Sequence, residues 1–255
     1  MKKWYWVALA IIAYLAFLVA FTPAIYVTNF ITEQSHKNNN ASLSFTGVSG
    51  TLFDGQALSV ISQGIQVNGV KWQLSPWSLL LLQANLDFTS GNIRNAEEIY
   101  AKGSVSTSLL KPQAFSLRQA QVFVPTKTLL SQLKLPVFVS AAGRFRIDID
   151  YFEFDQGCEV LEGRGNWLNA AVNVNQQSVD FGTFDASLNC ETPAFAMQIS
   201  PQNRLSLDAK LVFDIAGKYN IGGSFSVPSD MPTDIKQAAP FFGRETSPGQ
   251  YQISF

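Results

Sequence analysis

The run from Trp4 to Phe21, WYWVALAIIAYLAFLVAF, is apolar without interruption. A helix rises about 1.5 Å per residue, so about twenty apolar residues cross the roughly 30 Å of bilayer hydrocarbon. A cleaved signal has a shorter apolar core, about 7–15 residues, and ends in a small-x-small site. Here the best such site, Thr22-Pro23-Ala24, has a proline inside it. The segment therefore reads as a retained transmembrane anchor bounded by Trp4 and Phe21. Lys2 and Lys3 sit on its short N-terminal side, where the positive-inside rule holds them in the cytoplasm. Trp4, Tyr5 and Trp6 at one end and Tyr26 at the other suit the two interfaces. The expectation is a single-pass membrane protein whose remaining chain lies outside the cytoplasm.

Residues 1–28 are assigned to this anchor with its short cytoplasmic N-terminus, residues 29–42 to a polar tether, and residues 43–255 to an exported β domain. From Leu43 onward the dominant signal is period-2 alternation, which puts one side-chain set on a buried face and the other in solvent. Phe145, Ile147, Ile149 and Tyr151 alternate with Arg144, Arg146, Asp148 and Asp150. Leu205, Leu207, Ala209, Leu211 and Phe213 repeat the pattern, as do Tyr219, Ile221, Gly223, Phe225 and Val227. Two shorter runs, Ile65-x-Val67 and Val70-x-Trp72-x-Leu74, flank a turn or bulge at Asn68-Gly69. Helical signals are short: residues 76–82 after an N-cap at Ser75, residues 125–134, and residues 232–239. Strands without long intervening helices predict antiparallel meanders. The fold class expected is mainly β: one elongated antiparallel sheet domain with a few short helices, its possible halves meeting near residues 125–136.

Composition narrows the chemistry. The net charge is −1, which leaves no electrostatic footprint for nucleic acid. Cys158 and Cys190 are the two cysteines, and both fall in the exported part. In an oxidising compartment they most simply form one disulfide, a loop whose closure entropy is worth about 3–4 kcal/mol. A redox pair would need C-x-x-C spacing, and the single histidine, His36, is far from both sulfurs, so neither a redox centre nor a metal site is expected. Asp148, Asp150, Glu153 and Asp155 read as a solvated charged face beside Arg144 and Arg146 rather than a calcium site. Asp54-Gly55 reads as a hairpin turn, with an exposed partner-docking tip as its functional alternative. Trp72, Trp77 and Trp167 read as core packing. No catalytic residue or cofactor site emerges, and the chain is expected not to be an enzyme. An alternating, aromatic-terminated end at Tyr251 to Phe255 also occurs in outer-membrane barrels, but charged residues alternating with apolar ones argue against a lipid-facing band.

Several segments together carry a family signature: GVSGTLFDGQA from Gly47, VKWQLSPWSLL from Val70, GRFRIDI from Gly143, and GCEVLEGRGNW from Gly157. Leu188-Asn-Cys190, Tyr219-Asn-Ile-Gly-Gly223 and Gly249-Gln-Tyr251 follow in order. This order resembles the N component of bacterial type II secretion systems. The resemblance implies a non-enzymatic protein of the bacterial inner membrane, with a periplasmic C-terminal domain presented to other type II secretion subunits. The strand-then-SPWSLL arrangement is also similar, more distantly, to AsmA-like envelope proteins. That likeness implies the alternative, a lipid-handling module whose apolar groove takes phospholipid.

Overall fold

The computed structural model describes residues 4–7, 10–11, 14, 17–18, 21–37, 43–131, 140–174 and 177–254. Its strands, in chain order, are β1 (Leu43–Thr46), β2 (Ser49–Gly50), β3 (Asp54–Ser62), β4 (Ile65–Leu74), β5 (Gln83–Ser90), β6 (Tyr100–Ser108), β7 (Lys111–Pro125) and β8 (Ser140–Phe154). They continue with β9 (Cys158–Val174), β10 (Gln177–Glu191), β11 (Ala194–Ile199), β12 (Asp208–Phe213), β13 (Tyr219–Ser226), β14 (Arg244–Ser247) and β15 (Gln250–Ser254). Helix α1 (Ala24–Lys37) precedes them, and α2 (Pro76–Leu80), α3 (Thr126–Leu130) and α4 (Thr233–Ala238) sit in connections.

All of these strands join one 15-stranded sheet, paired antiparallel throughout and ordered almost as in the chain. The exceptions are local: β2 pairs only with β3, and β15 lies between β13 and β14. Pairing of β7 with β8 runs from Phe115↔Phe154 to Pro125↔Arg144, so the sheet is continuous through the junction near residue 125.

Alternation builds two chemically different faces. On one, Lys71, Thr89, Lys102, Gln121, Asp148, Arg164, Ser187, Gln198 and Lys210 lie opposite one another in succession. One residue along each strand, on the other face, the row reads Ala120, Ile149, Gly163, Leu188, Met197, Leu211 and Ile221. Rings stack along this apolar face: Phe145 on Trp167 at 5.4 Å between centroids, Trp167 on Phe184 at 5.5 Å, Phe195 on Phe213 at 5.1 Å. Such pairs add stabilisation beyond their burial.

Cover over the apolar face is partial. Phe181, Phe184 and Met231 are buried together, with Leu205, Leu207, Val227 and Ile235 packed on them. Phe225, Ala239 and Tyr251 form a second small cluster. Elsewhere Val105, Leu117, Ile147, Leu188, Met197, Leu211 and Ile221 remain only half-buried.

The antiparallel order collects the turns at two rims. Residues 51–53, 75–82, 109–110, 155–157, 192–193 and 214–218 lie at one; residues 63–64, 91–99 and 200–207 lie at the other, with α3. The end of the apolar run is tied to the first rim: the Thr22 carbonyl accepts from Leu52 N–H at 3.0 Å, and Pro23 bridges to Thr51. From there α1 passes alongside the sheet, burying Ala24 and Thr28, toward the far rim. There Ser35 Oγ accepts from Leu43 N–H at 3.2 Å. Among the described residues no helix is long and apolar enough to cross a membrane. Residues 4–7, 10–11, 14 and 17–18 are helical; Lys2 and Lys3 lie outside the described residues.

Four sequence expectations need correction. Residues 29–37, read as tether, continue α1. Tyr151 leaves the face of Phe145, Ile147 and Ile149, because the register between β8 and β9 shifts between Ile149 and Tyr151. Phe152 takes the buried place, and the Tyr151 hydroxyl donates to Glu153 on the polar side at 2.9 Å. That bond, with burial second, raises the phenol's pKa. Leu205 and Leu207 precede β12 in a loop folded around Asn203, whose Oδ1 accepts from both their N–H groups. Finally, Ser75 at the start of α2 makes no side-chain cap; Ser78 Oγ instead donates to the Ser75 carbonyl and accepts from Asn85 N–H.

Candidate functional site

Asp54 and Gly55 open β3 rather than forming a hairpin tip. The turn lies just before them: Thr51 N–H donates to the Asp54 carbonyl at 2.8 Å, and Gly50 pairs with Gly55. Asp54 is exposed and Gly55 is buried. The glycine is required by its neighbour across the ladder. A Cβ there would lie 2.3 Å from Trp72 Cζ2 and 2.8 Å from the Thr51 carbonyl. With that space open, Trp72 Nε1 reaches the Leu52 carbonyl at 3.2 Å. Asp54, Gly55 and Trp72 border a cavity of about 530 Å³, which Lys71, Gln73, Asp87 and Phe88 also line.

Cys158 and Cys190 are disulfide-bonded, with Cα atoms 5.5 Å apart. The β9–β10 ladder stops at Gly163↔Leu188, and the bond joins the two strands beyond that point. Cys158 is fully buried, and its N–H donates to the Pro193 carbonyl at 2.9 Å in the turn that follows Cys190.

The acidic residues of β8 do not converge. Asp148 pairs with Arg146 at 2.6 Å and accepts from Gln121 Nε2 at 2.7 Å, while Asp150 is exposed. Arg144 donates to the carbonyls of Ile93 and Glu98 and lies over the Phe123 ring at 4.4 Å. Burial lowers its pKa, though a guanidinium stays charged at any working pH. Among the described residues no group of three or more His, Cys, Asp or Glu side chains gathers to hold a metal.

Trp72 and Trp167 are half-buried, and Trp167 Nε1 donates to the buried Thr126 hydroxyl at 2.9 Å. Trp77 does not join a core: it is 77% exposed. Beside it on the first rim stand Leu80, Leu81, Leu82, Leu109 and Leu110, all exposed. The Leu109 N–H donates to the Leu82 carbonyl at 2.9 Å and brings the two turns together. The leucine run was visible in the sequence, but the exposure of Leu80, Leu81 and Leu82 depends on α2 stopping after one short turn at this rim.

Fold and site together define a large single-sheet antiparallel β protein with one disulfide, an apolar run tied to one rim, and a half-covered apolar face. The chain belongs to the family described as type II secretion system (T2SS), protein N, whose model matches residues 41–254. It is 24% identical over 254 residues to the type II secretion system protein N of Aeromonas hydrophila, covering 97% of this chain and 95% of that one. It is also 24% identical over 214 residues to that of Vibrio cholerae serotype O1, with 83% of each covered. With that of Klebsiella pneumoniae it shares 22% identity over 209 residues, 79% of this chain and 78% of the relative. No solved structure matches the chain.

Proposed function

We propose that the protein is a non-enzymatic inner-membrane component of the type II secretion apparatus that presents a periplasmic β domain to other subunits. The observation that carries this reading is the family match over residues 41–254. In this reading residues 4–21 form the single anchor, Lys2 and Lys3 stay in the cytoplasm, and Thr22 marks the exit onto the first rim. The surface offered to other subunits is the edge strand β14, four exposed residues from Arg244 to Ser247 at the end of the sheet. Edge strands present unpaired donors and acceptors, and the opposite edge has α1 beside it. Asp54, exposed at the cavity, is a second docking position, with Gly55 supplying room for Trp72 rather than contact. Crosslinking followed by affinity purification from membranes should recover other secretion subunits; recovery of none would count against the proposal. A reporter fused after Phe255 should be active only if exported.

The half-covered apolar face supports a second reading, the lipid-handling module. Leu117, Met197 and Leu211 lack the cover that a packed core would give them. A photo-crosslinking residue at Leu117 in the full chain should acquire a phospholipid-sized mass if lipid rests there, and none if the face is simply solvated.

A further inference from the structure

We propose that the leucine-rich rim is a second membrane contact, seated in the headgroup region of the bilayer that the anchor crosses. This rests on the reading of residues 4–21 as that anchor. Isolated exposed leucines are ordinary on any surface, whereas a contiguous apolar patch calls for a partner. Trp77 is 77% exposed, Leu80 75%, Leu81 75% and Leu110 76%, and no charged residue lies between Ser75 and Gln83. A tryptophan flanked by leucines is the composition that settles at a membrane interface.

What fixes the occupant is position. A chain of backbone bonds links the end of the apolar run to the patch. Thr22 carbonyl accepts from Leu52 N–H at 3.0 Å, Phe53 carbonyl from Leu74 N–H at 2.7 Å, and Asn85 carbonyl from Ser75 N–H at 2.9 Å. The Leu82 carbonyl then accepts from Leu109 N–H at 2.9 Å. The patch thus occupies the same rim as the point where the anchor would leave the bilayer, and α1 departs from that rim toward the opposite one. A sheet standing on this rim brings Trp77, Leu80 and Leu110 to the membrane surface and holds residues 91–99 away from it.

The test uses the full chain in vesicles of phosphatidylethanolamine and phosphatidylglycerol. Spin labels are placed singly by Leu80→Cys, Leu110→Cys, Ile93→Cys and Tyr14→Cys, positions exposed enough to leave the sheet intact. Collision with oxygen is compared with collision with a water-soluble nickel chelate. The proposal expects labels at 80 and 110 to be shielded from nickel and accessible to oxygen, as at 14, with 93 aqueous. If 80 and 110 are as aqueous as 93 while 14 is shielded, the anchor reading stands and the rim proposal falls. If 14 is aqueous, the anchor reading falls and takes the proposal with it. Shielding in native membranes but not in these vesicles would mean that a protein covers the patch, and would equally overturn it.

Discussion

Opening the disulfide should cost the sheet a sizeable share of its stability without disturbing its folded geometry. Cys158 and Cys190 are separated by 32 positions, and the loop they close contains the β9–β10 hairpin. The chain-entropy relation gives about 3.7 kcal/mol for a loop of that length at 25 °C. The folded state has other means of holding these ends. Cys158 pairs with Phe154 of β8, Cys190 pairs with Phe195 of β11, and Pro193 accepts from the Cys158 N–H. The loss should therefore come from a freer unfolded chain rather than from a frayed native one. Replacing both cysteines by alanine avoids placing an unpaired hydroxyl at the fully buried position 158. Taking a urea slope of about 2.5 kcal/mol/M for a domain this large, the midpoint should fall by about 1.5 M. The assay is urea unfolding of the full chain in mild detergent, followed by far-UV circular dichroism. Reduction of the wild-type protein should give the same shift as the double replacement. A shift under about 0.4 M, or two titratable thiols in protein taken from its native compartment, would refute the reasoning.

Gly55→Ala should destabilise the protein by about 1–3 kcal/mol, because the added carbon meets the Trp72 ring and the Thr51 carbonyl; an unchanged urea midpoint and tryptophan spectrum would contradict this. The Arg204–Asp230 ion pair, 2.8 Å long, should make stability depend on acid pH. Hydrogen bonding from Arg204 is the main reason the Asp230 pKa is lowered on folding, so its contribution is present above the ordinary carboxylate range and is lost as pH falls through the depressed value. Midpoints of wild type and Asp230→Asn should accordingly converge in acid and separate toward neutrality; a gap independent of pH would count against the assignment.

The strands were legible where their periodicity is carried by side chains alone. Tyr219, Ile221 and Phe225 fall on β13 as the pattern predicts, whereas Asn68-Gly69, read as a turn or bulge, runs on within β4, with Gly69 at a positive φ of 60° and the register against β3 unshifted. Failures occur where a local device overrides the period. Nothing in the alternation of residues 144–151 announces the register shift after Ile149, because an irregularity in a ladder depends on the partner strand. Leu205 and Leu207 keep strand spacing, yet the Asn203 side chain captures their N–H groups before a ladder can. Residues 29–37 looked like tether because α1 buries little beyond Ala24 and Thr28, which leave almost no apolar stripe to read. At the candidate site, glycine in Asp54-Gly55 suggested a turn; its true reason, the Trp72 ring, stands seventeen residues away in sequence and became visible only with the ladder in register.

A sheet built this way distributes its stability along one dimension. Each strand contacts mainly the strands beside it, and neighbours in the sheet are almost always neighbours in the chain. Stability then approximates a sum of strand-to-strand interfaces, as in repeat proteins, with little cross-layer packing to tie distant interfaces together. The longest strands, β7 to β10, carry the most extensive ladders and form the centre of this series. The covalent link lies within that centre, and buried clusters protect the flank toward β13 and β15. The flank toward β1 has α1 instead, held at both rims by Thr22 and Ser35. An arrangement that secures its middle and its β1 flank leaves β14, short and exposed at the opposite edge, open to local unfolding.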